Sequence, residues 1–141
     1  LPAGAVSCTS NGAAIHFRPH LQAFLTTLFK HGDVAVWTSA SPKNAIPIVL
    51  AAFNGLLDEA AFRELRKPSW PSVEHNKYAW GGHRLRFLWT SEDCDVDATP
   101  EDPTNPFKPN YKKRLSRIWS AFSEYSGKNT LMIDDSAGKL D

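Results

Sequence analysis

The stretch that decides the fold runs from Asp33 to Ala45, DVAVWTSASPKNA. Asp33 to Trp37 is a compact apolar run, the composition of a strand buried on both faces of a parallel sheet. It closes on Thr38-Ser39. Ser41-Pro42 then has the form of a helix start, with Ser41 as N-cap and Pro42 at N1, where a missing N–H does no harm. Ala45, Ile48, Val49, Ala52 and Phe53 fall on one face of the helix that follows, with Pro47 inside it, so that a kink or a later start is open. Strand, short polar turn and helix make half of a βαβ unit.

Upstream, Leu21, Phe24, Leu25, Leu28 and Phe29 recur at i, i+3, i+4, i+7 and i+8, which predicts an amphipathic helix opened by Arg18-Pro19 and ended by Gly32. A short strand is expected over Ala13 to Phe17, and loop before it. Downstream, Leu56 to Arg66 reads as a short helix. Residues 67–84 hold Pro, Gly, His and Trp without periodicity and read as an insertion. Arg86 to Trp89 is a second apolar run, closed by Thr90-Ser91. Residues 91–110 are acidic, carry four prolines and read as a long loop. Tyr111 to Tyr125 predicts a helix with Tyr111, Leu115, Ile118, Trp119 and Phe122 on one face, stopped by Gly127. Thr130 to Ile133 predicts a third strand, closed by Asp134-Asp135-Ser136. The pattern as a whole is α/β: a Rossmann-like open parallel sheet with helices on both faces.

The 141 residues fit one domain over 1–141, with an insertion or long loops at about 67–107. Hydrophobic content of 42% and charged content of 22% are those of a globular domain, and a net charge of +1 gives no global pull toward nucleic acid or an anionic membrane. No apolar run reaches the length of a membrane span, and no signal peptide is visible at the N-terminus. Both ends read as cuts. Cys8 and Cys94 are the only cysteines, too few for a disulfide framework or a zinc site, which suggests a reducing setting inside the cell.

Three predicted strands end in polar residues: Thr38-Ser39, Thr90-Ser91 and Asp134-Asp135-Ser136. In an open parallel sheet such ends line the ligand crevice. Two adjacent carboxylates repel unless a cation or proton joins them, and Mg²⁺ needs only one or two carboxylates beside its waters. The same Asp-Asp-Ser also caps helices well, so both readings stand. Thr38 can hold a phosphate oxygen beside a helix N-terminus or serve only as a cap. Lys112 to Arg114 can neutralise a phosphoryl group or form a solvated helix face. His75 and His83 fit no common metal spacing, His16, His20 and His31 read as surface groups, and Trp37, Trp89 and Trp119 read as packing. Neither cysteine has the surroundings of a nucleophile.

Taken in order, RPHLQAFLTTLF, VAVWTSASPKNA, YKKRLSRIW and NTLMIDDSAGK resemble the phosphatase domain of the RNA polymerase II C-terminal-domain phosphatases and NLI-interacting-factor-like proteins, in the haloacid-dehalogenase superfamily; a mitochondrial inner-membrane translocase subunit of that branch is also similar. The resemblance runs from about Phe17 to Lys139. It implies a nucleophilic Asp and an acid/base Asp in an Asp-x-Asp-x-Thr strand just before Leu1, a motif this sequence does not contain. It also implies that Thr38 contacts the phosphoryl group, that Lys113 neutralises its charge, with Lys112 as the nearby alternative, and that Asp134 and Asp135 complete Mg²⁺ coordination. The reaction implied is Mg²⁺-dependent hydrolysis of phosphoserine or phosphothreonine in a protein tail or peptide through an aspartyl-phosphate, in the nucleus or cytoplasm. Without the nucleophile segment, the stretch alone is expected to be inactive. The alternative it implies is a catalytically inactive peptide-binding module, mitochondrial as in the translocase relative. A receiver domain places its acidic pair first and its lysine last, the reverse of the order here.

Overall fold

A computed structural model of the chain describes residues 7–56, 78–80 and 83–140. Two compact units divide it, Leu1–Glu92 and Asp93–Asp141.

In the first unit, β1 (Cys8–Ser10) and β2 (Ala13–Ile15) form an antiparallel hairpin. Its turn needs Asn11 at φ 49° and Gly12 at φ 78°, the left-handed pair that an Asn-Gly sequence adopts most readily. Helix α1 (Leu21–His31) follows, then β3 (Val34–Trp37) and helix α2 (Pro42–Ala52). Ser41 is the N-cap and Pro42 the first helical residue, as the sequence predicts, and the helix runs through Pro47. β1 packs on α2, and Ser10 Oγ donates to the Asn44 carbonyl at 2.8 Å.

β3 pairs in parallel with β5 (His83–Trp89), and β5 pairs antiparallel with β4 (Tyr78–Trp80), so among the described residues β5 is central and β3 is an edge. Between Val34↔Leu85 and Val36↔Leu88, β5 carries one residue more than β3, a bulge that increases local twist. Leu25, Val34, Val49, Ala52, Phe53, Leu85 and Leu88 form the core of this unit, with Leu21, Leu28 and Phe29 packed against it. Phe24 departs from the expected apolar stripe and is 46% exposed. A second aromatic cluster joins Trp89 to Phe87, with ring centroids 4.5 Å apart, and to Trp37 at 4.8 Å edge-to-face.

The second unit pairs β6 (Asp95–Asp97) antiparallel with β7 (Asn110–Lys112), followed by helix α3 (Leu115–Ala121). Three expectations need correction here. The helix foreseen over Tyr111 to Tyr125 is half that length, because residues 110–112 are taken by the ladder with β6 and Lys113 bridges to Leu140. The acidic loop contains the partner strand, β6. Thr130 to Ile133 is not a strand: no strand pairs with it among the described residues, and Leu131 and Ile133 are 85% and 65% exposed. The expected helix over Leu56 to Arg66 and most of the insertion, including His75, lie outside the described residues. The architecture is thus mixed α/β with short sheets, including one parallel pair.

Candidate functional site

In the first unit, the C-terminal ends of the parallel neighbours β3 and β5 lie side by side. The Thr38 N–H donates to the Trp89 carbonyl at 2.9 Å, and the Ser91 N–H donates to the Ala40 carbonyl at 2.9 Å. Each strand ends in a hydroxyl that accepts a backbone N–H two residues on: Ala40 N–H to Thr38 Oγ at 3.1 Å, and Glu92 N–H to Thr90 Oγ at 3.4 Å. These turns follow from the propensity of threonine to bond its own backbone. They form a matched pair of polar loops, of which Thr38-Ser39-Ala40 leads into α2.

The second unit holds the charged residues. Lys113 follows β7, and its N–H donates to the Lys139 carbonyl at 2.7 Å, which draws the chain around the short 3-10 turn Ala137–Lys139 against it. Its ammonium donates to Asp134 Oδ2 at 2.5 Å. Lys113 is 5% exposed, and the Asp134 side chain 8%. Burial alone raises the Asp134 pKa. The Lys113 hydrogen bond, the Ser136 N–H on Oδ1 at 2.8 Å, and the charges of Lys113 and Lys139 outweigh it, holding the carboxyl below its ordinary 3.8. A buried ion pair of this kind is weak evidence for stability and better evidence that a charge is needed at that point.

Of the two lysines, Lys112 bonds only the Gly138 carbonyl, in an exposed contact, and Lys113 takes the buried acid. Solvated helix face is therefore the wrong description of Lys113. Asp135 is exposed, while the Asp134 side chain is buried against Lys113. Thr38 belongs to the first unit, and Lys113, Asp134 and Asp135 to the second. Among the described residues, no group of three or more His, Cys, Asp or Glu gathers as a metal site. Asp134 and Asp135 still suit the chemistry of Mg²⁺, which takes one or two carboxylates and retains water, so they fit as part of a site that another carboxylate must complete.

One functional candidate escaped the sequence. Asp95 accepts from Arg114 Nη1 at 3.2 Å and from Arg117 Nη1 at 3.0 Å. The acidic alternation Asp95-Val96-Asp97 facing a basic run was its only signal.

Residues 5–65 match a sequence model of the family described as NLI interacting factor-like phosphatase. Over that stretch the chain is similar to the NLI interacting factor-like phosphatases, which bears out the resemblance read from the sequence. Ubiquitin-like domain-containing CTD phosphatase 1 of Homo sapiens and of Bos taurus are each 29% identical over 130 residues, 92% of this chain and 32% of the relative. The Danio rerio protein of that name is 27% identical over the same shares. The chain therefore spans about a third of the length of these relatives. No solved structure matches it.

Proposed function

We propose that this sequence is part of a Mg²⁺-dependent phosphoprotein phosphatase domain acting on phosphoserine or phosphothreonine in a protein tail, inside the cell in nucleus or cytoplasm. The observation that carries the reading is the buried pair of Lys113 and Asp134 at 2.5 Å, joining residues 21 positions apart. It is supported by the phosphatase segment over residues 5–65 and by the names of the relatives.

Residue by residue, Lys113 has three ammonium donors. One is committed to Asp134, which holds the ammonium in place, and the others would serve phosphoryl oxygens. The Thr38 hydroxyl, oriented by the Ala40 N–H on its oxygen, is proposed to donate to a phosphoryl oxygen. Asp134 and Asp135 would hold Mg²⁺ with waters and with a carboxylate from upstream; the metal would neutralise charge on the phosphoryl oxygens. The attacking Asp would have to come from a strand upstream of Leu1 in a longer chain, and it would carry the phosphoryl group until water releases it. That strand would add to the sheet in which β3, among the described residues, pairs on one side only, which is what supports the idea.

The test is turnover of a phosphoserine peptide by the longer chain, with Mg²⁺ and after chelation. Mg²⁺-dependent turnover is expected, and Lys113→Met should lower kcat by about 100-fold, the scale of removing one charge-stabilising donor. Absence of Mg²⁺-dependent turnover would sink the phosphatase reading. Peptide binding without turnover would then favour the inactive module.

A further inference from the structure

Asp95 stands in β6 directly across from Lys112 in β7. Its carboxylate is divided between two arginines: Oδ1 accepts from Arg117 and Oδ2 from Arg114, one guanidinium on each oxygen. Arg114 is the N-cap of α3 and follows Lys113 in the chain; Arg117 lies in the first turn of that helix. One side chain in β6 therefore ties down the helix side of the corner where β7 ends and α3 begins. The β6–β7 ladder ties down the strand side. Lys113 sits between the two, held from a third direction by the Lys139 carbonyl.

We propose that Asp95 is a positioning residue for Lys113: it fixes the β7–α3 corner so that the ammonium meets Asp134. As a statement about phosphoryl transfer, this rests on the phosphatase reading above; as a statement about geometry, it does not. The physical reason is leverage. Lysine has a long flexible stem, so the direction of its charge depends on how firmly its backbone is held. Arginine carries planar, permanently charged donors suited to carboxylates, so Arg114 and Arg117 together hold the Asp95 carboxylate at this corner.

The experiment uses the longer chain and reads two quantities. The first is the rate of Lys113 acylation by a soluble N-hydroxysuccinimide ester, measured by mass spectrometry relative to Lys128 in the same molecule. The second is kcat and KM on a phosphoserine peptide. Asp95→Asn should raise Lys113 acylation several-fold and lower kcat by about tenfold with KM within about twofold, the pattern of a misplaced group acting in the transition state. Asp95→Glu should restore most of both. Arg117→Gln, a surface change that keeps Arg114 in place, should shift both in the same direction by less, and it serves if Asp95→Asn does not fold. Lys113 acylation unchanged in a folded Asp95→Asn protein would overturn the proposal. If the wild-type chain shows no turnover, the phosphatase reading fails alone, and the acylation ratio still decides whether Asp95 positions Lys113.

Discussion

At the scale of single residues, the Lys113–Asp134 pair dominates. Each partner gives up water, and each is tolerable there because of the other. Lys113→Ala should therefore destabilise the protein by about 3–5 kcal/mol, the cost of stranding a buried charge, while replacing both partners with Met and Leu should cost much less than the sum of the single changes. Urea denaturation of the four proteins measures this, and additivity would refute the pairing. Lys112→Ala loses only an exposed hydrogen bond and should cost about 0.5 kcal/mol, which separates the two neighbouring lysines. The acid limb has a definite sign. The Asp134 pKa is lowered on folding, so its contribution is complete above its ordinary 3.8 and disappears as pH falls from there through the lower folded value. In metal-free buffer, Asp134→Asn should flatten the loss of stability below about pH 4; an unchanged acid limb would contradict the shift.

At the scale of elements, the sequence was most legible where local signals agree with tertiary packing. Ser41-Pro42 opens α2 as its capping chemistry requires, and Leu21, Leu25, Leu28 and Phe29 face the core. Phe24 is exposed because it lies about 100° around the helix from its neighbour Leu25, at the margin of the stripe. The C-terminal third was misread in two ways. The apolar period from Tyr111 to Phe122 is genuine, but a ladder with Asp95–Asp97 claims its first residues. Nothing in an acidic loop with four prolines announces a strand, since strand identity there depends on a partner and not on propensity. Thr130 to Ile133 has strand periodicity without a partner. The Lys113–Asp134 contact rested on resemblance alone, because residues 21 apart show no spacing rule. Pro47 offers a test of helix packing. It leaves one backbone carbonyl of α2 without its usual donor, so Pro47→Ala should stabilise the protein by up to about 3 kcal/mol. A thermal melt reads the change, and a fall in Tm would mean that the packing of α2 depends on a bend at Pro47.

At the scale of the whole molecule, the telling feature is apolar surface on a stretch outside the helices and strands. From Thr130 to Ser136 the exposure alternates strictly: Thr130, Met132, Asp134 and Ser136 are half-buried, while Leu131, Ile133 and Asp135 face solvent. A short apolar run with unpaired backbone is a template for association. In the present chain, Leu131→Lys with Ile133→Thr should therefore raise the concentration at which self-association begins, seen by light scattering, and leave the Tm unchanged, because neither side chain is packed. If a strand upstream of Leu1 covers this face in the longer chain, the same two substitutions should reverse in sign there. Each side chain would then be buried, and losing a buried Leu or Ile contact costs about 1.5–3 kcal/mol. Urea denaturation of the longer chain, with and without the pair of changes, should show that loss. Equal stability of the two longer chains would mean that no strand covers the face, and the proposed sheet would lose its support on this side.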